Sequence, residues 1–248
     1  MLFRSGNRPG RHGLWQRPLE RRRLQQAPLL LPWSTGGLDE VPDAARRGTR
    51  ALVLPVPVER SGAPEPKRNI AAITYAANPT KKGFDRVLAA WRRIRVEVSQ
   101  APGDSEAELV VAGAGTRELA SVGLRASEDR VRVLGRLPYD EYRAMLRRAR
   151  VFVCAPRRED YGIAQLEALA DGCLLVSTPA PGPYVALPIA RMLDPRLVDD
   201  DLEAALRAAL LDPAADYNVR AQEALTSLTR GASDLVVAGG MLPRLLTR

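Results

Sequence analysis

Residues 151–176 read VFVCAPRREDYGIAQLEALADGCLLV. The opening run, 151–154, is short and wholly apolar, as a strand covered on both faces requires. Charged residues follow, and Gly162 then precedes a segment, 163–170, of helical composition. A second apolar run, 173–177, closes the stretch. Strand, loop, helix and strand in that order make a βαβ unit, and such units build parallel sheets. The first N–H groups of such a helix lack intrahelical acceptors and carry the positive end of its dipole, which makes a place for a phosphate or sugar oxygen. Gly162 would let a ligand approach the backbone closely. Glu159 lies on the loop beside that place, and Glu167 lies just over a turn into the helix. A carboxylate accepts two hydroxyl hydrogen bonds, which suits the vicinal diol of a ribose or hexose.

The same alternation extends in both directions. Toward the N-terminus, 69–75 (NIAAITY), 108–112 (ELVVA) and 131–134 are strand candidates. Between them, Phe84, Val87, Leu88, Trp91 and Ile94 recur at helical spacing within 83–98, and Tyr139, Tyr142, Met145, Leu146 and Ala149 do so within 139–149. Toward the C-terminus, Leu202, Ala205, Leu206, Ala209 and Leu210 mark a helix after the acidic run 199–201, and helical segments are expected near 216–230 and 233–246. The expected fold is therefore α/β, a Rossmann-like parallel sheet with helices on both faces. Ligands of such sheets bind beyond the carboxyl ends of the strands, which directs attention to 76–83, 113–117, 135–138, 155–163 and 178–184. Gly113-Ala114-Gly115 does not complete a dinucleotide fingerprint, because residue 118 is Glu, and no P-loop string occurs. No repeat of fixed period is present.

A net charge of +8 and a pI near 10.1 invite a nucleic-acid reading. The charge is unevenly placed, however. Seven arginines against Glu20 give residues 1–26 a charge of +6, leaving +2 for the other residues. Basicity thus belongs to one segment, expected to be a solvated, disordered tail, and a nucleic-acid partner is not expected. Residues 27–34 and 51–58 are short apolar runs with prolines, fit for edge strands or connections. Residues 59–68 (ERSGAPEPKR) read as a linker. The expected division is a tail over 1–26, an N-terminal remnant with linker over 27–68, a ligand-binding domain over 69–230 and a helical segment over 231–248. Cys154 and Cys173 each sit in or beside an apolar run and read as buried thiols, while His12 is the single histidine. That inventory leaves no Cys/His zinc cluster and no Ser–His or Cys–His nucleophile system. No apolar run reaches the length of a membrane span, and a cytoplasmic protein, at most peripheral to the membrane, is expected.

Glu159-Asp160-Tyr161-Gly162-Ile163-Ala164-Gln165-Leu166-Glu167-Ala168-Leu169-Ala170-Asp171-Gly172 resembles the Glu-x7-Glu motif of the retaining glycosyltransferases of GT-B fold, the glycosyl transferases group 1 type. Asn78-Pro79-Thr80-Lys81-Lys82-Gly83 resembles that family's basic Lys-Gly loop, 108–115 its second strand, and 131–156 the stretch ahead of the Glu pair. The resemblance covers about residues 69–212. It implies a donor-binding domain for a nucleotide-diphosphate sugar, without a metal or other cofactor. It also implies site roles: Glu159 on hydroxyls of the transferred sugar, Glu167 on the ribose, and the amides of Gly162 and Ile163 near the sugar or phosphate. Lys82 would meet the diphosphate, and the base would sit by Gly135-Arg136-Leu137.

The sequence also departs from the family's pattern. Ala76 stands where the family carries a second diphosphate-binding Arg, and 179–184 (PAPGPY) replaces its Gly-Gly-x-x-Glu loop. The 68 residues ahead of the donor domain are fewer than the family's N-terminal acceptor domain, which is therefore expected to be truncated or degenerate. Transfer to an unknown acceptor (glycan, lipid or small molecule) would need a completed cleft, with a second copy or a partner chain as the expected source. The alternative reading is a non-catalytic sugar-nucleotide-binding or interaction protein.

Overall fold

The computed structural model describes residues 13–27, 29–41, 51–63, 65, 69–101, 107–125 and 130–243. Five strands, β1 (Ile70–Tyr75), β2 (Leu109–Ala112), β3 (Val131–Gly135), β4 (Ala149–Cys154) and β5 (Leu174–Ser177), form one parallel sheet of order β3-β2-β1-β4-β5. Successive residues of β2 and β5 are all buried, so side chains pointing to either face meet protein. The edge strand β3 is only half-covered, and its exposed Arg132 is neutralised by Glu108 at 2.6 Å. An edge that ends in charge resists pairing with another chain.

Helices cover both faces. On one, α3 (Phe84–Gln100) packs against α8 (Leu202–Leu211), and both touch β4. The five apolar residues expected on the inner side of α3 are all buried there. Elsewhere α5 (Tyr139–Arg148) lies on β1 and β4, and α6 (Ile163–Ala170) lies against α5 and β5. In α5 the apolar period misjudges two positions. Tyr139 is 59% exposed, whereas Arg143 is 4% exposed, because partners on other elements draw its guanidinium inward. The remaining α-helices among the described residues are α1 (Gly13–Gln26), α2 (Thr35–Asp39), α4 (Thr116–Ser121), α7 (Ala186–Leu193), α9 (Tyr217–Ala224) and α10 (Arg230–Val236).

Of the segment 1–26 expected to be disordered, residues 13–26 form α1, and residues 1–12 lie outside the described residues. No apolar stripe marks α1. Leu24 anchors it, buried with Leu30 and Val41 in a small cluster apart from the main core. Residues 29–32 and 51–54 run beside each other, with Leu52 and Leu54 donating N–H bonds to Leu30 and Pro32 at 3.0 and 2.8 Å. The second strip continues to the C-terminal helices, where Val58 donates to the Leu228 carbonyl at 2.8 Å and Ser233 to that of Pro55 at 3.2 Å. Its prolines limit pairing to single bridges, as the sequence implies.

Among the described residues the largest fully buried side chain is Trp91, on α3. Trp91→Ala is expected to cost about 3–5 kcal/mol of unfolding free energy, the range for deleting a large buried aromatic. Urea denaturation followed by circular dichroism checks this.

Candidate functional site

The sheet order reverses at β1: β2 and β3 lie to one side of it, while β4 and β5 lie to the other. The loops that leave β1 and β4 are therefore neighbours at the carboxyl edge, where open α/β sheets take their ligands. Arg157 ties them together, its amide donating to the Lys81 carbonyl at 3.0 Å and its Nε to that of Thr80 at 3.1 Å. Gly83 lies under this junction with φ of +64°, and a Cβ there would run into the Ala155 carbonyl oxygen. Only glycine meets both conditions cheaply.

This close approach brings Lys82 to Glu159, Nζ to Oε2 2.6 Å, although 77 residues separate them. The same Oε2 accepts from Gln165 Nε2 at 3.2 Å. Glu159 is thus held from the β1 loop and from α6 together, and it is 8% exposed. Gly162 begins α6 at φ of +88°, with its Cα so near the Tyr184 ring that a Cβ would stand 2.7 Å from it. The first amides of α6 have no intrahelical acceptors, and Gly162, Ile163 and Ala164 line the cleft.

Glu167 sits deeper, along α6. Its Oε1 accepts from the Tyr139 hydroxyl at 2.9 Å, and Arg143 Nη1 lies 3.8 Å away. Burial pushes its carboxyl above the usual range, and Asp171 adds to this, while Tyr139 and Arg143 pull the other way. Arg136 and Leu137, after β3, form the far wall. Arg136 is largely exposed and pairs with Glu118 at 3.0 Å; the other Glu118 oxygen accepts from the Gly115 amide at 2.8 Å.

Lys82, Arg136, Leu137, Tyr139, Glu159 and Glu167, with the start of α6, line one cleft of about 730 Å³. The structure brings together every site residue expected from the sequence: Lys82, Arg136, Leu137, Glu159, Gly162, Ile163 and Glu167. Sequence reasoning missed the opposite rim, Trp33, Ser34 and Gly37. Trp33 packs edge-on against Tyr161 at 6.0 Å between ring centroids, and the Tyr161 hydroxyl accepts from the Val56 amide at 3.0 Å. Arg158 joins Glu40 to Asp160. An apolar Trp-Ser pair before two glycines carries little signal by itself, since the contact is long-range. Among the described residues no cluster of His, Cys, Asp or Glu has the makings of a metal site, and no helix is long and apolar enough to cross a membrane.

The family model of glycosyl transferases group 1 matches residues 68–216, more than half of the chain and all five strands. The chain belongs to this family. Among solved structures, the group 1 domain and its N-terminal segment superpose on a sucrose-phosphate synthase from Thermosynechococcus elongatus with a TM-score of 0.68 at 17% identity, covering 98% of this chain and 64% of that one. The pneumococcal O-GlcNAc transferase GtfA, in a complex with UDP and GlcNAc, gives 0.67 at 12% identity, over 91% of this chain and 47% of that one. A GtfA/B complex gives 0.62 at 14% identity, with 91% and 47% covered. At such identities the likeness is one of fold, and the chain spans about half to two thirds of the length of these relatives. No curated protein matches the sequence.

Two substitutions separate the site's architecture from its chemistry. Gly83→Ala is expected to destabilise the protein by at least about 2 kcal/mol, through a strained backbone and a displaced junction. Glu167→Gln is expected to behave in the opposite way. A carboxyl whose folded pKa is raised binds its proton more readily in the native state, so stability falls as pH rises from its ordinary range to the raised value and stays lower above it. The neutral amide escapes that loss. Thermal melts at pH 7 should place Glu167→Gln at or above the unsubstituted protein; a clear drop would make the carboxylate a structural element instead.

Proposed function

We propose that residues 69–230 form a donor-binding domain that takes a nucleotide-diphosphate sugar and, when a facing surface completes the cleft, transfers the glycosyl group with retention. The observation that carries this reading is the convergence of Lys82 and Glu159 at 2.6 Å, where the sheet order reverses, with Glu167 on the same cleft. Convergent charged groups at such a place are a binding-site signature.

Each group has a task in this reading. The first turn of α6 and Lys82 meet the diphosphate, and the Lys82 cation offsets charge that grows on it as the sugar departs. Glu159, held at Oε2 by Lys82 and Gln165, accepts from the Asp160 amide at Oε1 and has a further lone pair there for hydroxyls of the transferred sugar. Glu167 accepts the two ribose hydroxyls, and Arg136 with Leu137 borders the base. The dipole of α6 and Lys82 supply positive charge without a metal. The acceptor lies opposite, toward Trp33 and Ser34. A partner chain or second copy would exclude water and position it. The resemblance to a chain solved as a GtfA/B complex supports looking for such a partner.

One observation favours a non-catalytic, nucleotide-sugar-binding role instead. Ala76, fully buried at the end of β1, brings no second cation to the phosphate side. Turnover decides between the two.

Calorimetric titration with UDP, GDP, ADP and their sugar conjugates is the first experiment. One nucleotide class should saturate the site, and Glu167→Ala should weaken binding by about tenfold or more, the scale of lost hydrogen bonds to a charged group. Lys82→Ala and Glu159→Gln should each lower donor hydrolysis or transfer by about 10²-fold or more. Titrations that stay flat for every donor, with a cooperatively folded protein, would sink the reading.

A further inference from the structure

The contacts around Glu167 extend well beyond the cleft. Arg143 Nη1 donates to the Tyr139 hydroxyl at 2.7 Å, and that hydroxyl donates onward to Glu167 Oε1 at 2.9 Å. The guanidinium also lies over the Tyr139 ring, 5.6 Å from its centroid. On its other side Arg143 Nε donates to Asp171 Oδ2 at 2.6 Å, and Nη2 donates to the Glu59 carbonyl at 2.7 Å. Asp171, whose side chain is fully buried, accepts in turn from the amide and hydroxyl of Ser61 at 2.9–3.0 Å. Arg143 therefore spends its donors on three elements and is 4% exposed.

Such burial of a cation carries a desolvation cost, and a pair with Asp171 alone would be a weak reason for it. The geometry supplies another reason. The guanidinium is fixed at its far end by Asp171 and the Glu59 carbonyl, so its near end has one orientation, and the Tyr139 hydroxyl must accept from it. A hydroxyl that accepts from a cation is polarised to donate strongly, and its proton is thereby committed to Glu167. The bond to Oε1 sets the plane of the carboxylate, which decides where its remaining lone pairs point.

We propose that Arg143 is a positioning residue for Glu167, acting through the Tyr139 hydroxyl to hold the carboxylate ionised and oriented toward a nucleotide's vicinal diol. This rests on the donor-site reading of the cleft. The charged and titratable groups facing Glu167 are Tyr139, Tyr142 and Arg143 of α5 and Asp171 at the end of its own helix. Of these only Arg143 is a cation, so it alone offsets burial and Asp171 electrostatically, while Tyr139 does so by its hydrogen bond.

The test uses the whole chain and the nucleotide diphosphates UDP, GDP and ADP, titrated from pH 5 to 8. Binding to the unsubstituted protein should weaken toward acid, in part as the nucleotide's terminal phosphate takes up a proton and in part as Glu167 does; the second part is the limb that Glu167→Gln should lack. Tyr139→Phe removes the relay and leaves the Arg143–Asp171 pair in place. It should weaken binding at pH 7 by about tenfold, the scale of a hydrogen bond to a charged group, and move the acid limb to higher pH. Arg143→Met with Asp171→Asn, which removes both buried charges together, should move the limb the same way; Arg143→Lys should restore only part of the affinity. A merely structural role would lower affinity evenly across pH and leave the limb where it was. An unmoved limb in Tyr139→Phe, with nucleotide still bound, overturns the relay alone. Failure of the unsubstituted protein to bind any of the three overturns the relay and the donor-site reading together.

Discussion

The parallel pairing of β1 with β4, whose loops are forced into contact at one edge, is the constraint on which the site depends. Everything chemical follows from how closely they approach. Gly83 lets one backbone lie on the carbonyl of Ala155, Arg157 stitches the two loops, and Lys82 then has no option but to face Glu159. A side chain at position 83 would force the loops apart and separate the cation from the carboxylate. The sheet supplies rigidity for this, since its strands β1 and β2 are buried on both faces and cannot shift without disturbing helices on either side.

Much of that was legible beforehand because it rests on local signals. Short apolar runs alternating with helical periods identify the β-α units, and Gly162 before an apolar helix identifies its start. The sequence order also places Lys82 and Glu159 on loops of the same edge, once the strands are taken as parallel. Local pattern does not carry the partners of Arg143. Asp171 is 28 residues away, and Ser61 lies 110 residues from Asp171, so an arginine outside the apolar period of its helix looks exposed until the fold closes. Helix α1 is the complementary case. Its sequence is rich in arginine and shows no period, yet Leu24 is buried against Leu30 and Val41. Trp33 lines the cleft packed edge-on against Tyr161, a contact with no trace in spacing.

The segment read as a linker, 59–68, was legible in composition but not in attachment. Pro, Gly and charge mark it as lacking regular structure, and the described part has none. It is nevertheless bound: Glu59 lends its carbonyl to Arg143 and its carboxylate to the Arg230 amide at 3.2 Å, while Ser61 is held by Asp171. Irregular backbone can be well anchored when its polar groups meet buried charges, because each unmet charge would cost more than the ordering of a few residues.

Glu159 and Glu167 show why two carboxylates of one motif need different surroundings. Glu159 has a lysine in direct contact, so its charge is balanced where it stands. Glu167 has its nearest cation 3.8 Å away, shared with Asp171, and reaches it chiefly through a tyrosine hydroxyl. Its charge is thus under-compensated, and burial raises its proton affinity. A diol that donates two hydrogen bonds would supply the missing compensation. The fold therefore gives up some stability at Glu167 that a bound ligand would restore, and the same deficit makes the carboxylate a stronger acceptor than a fully paired one. An ordinary structural glutamate, satisfied by its own protein, would have nothing left to offer a ligand.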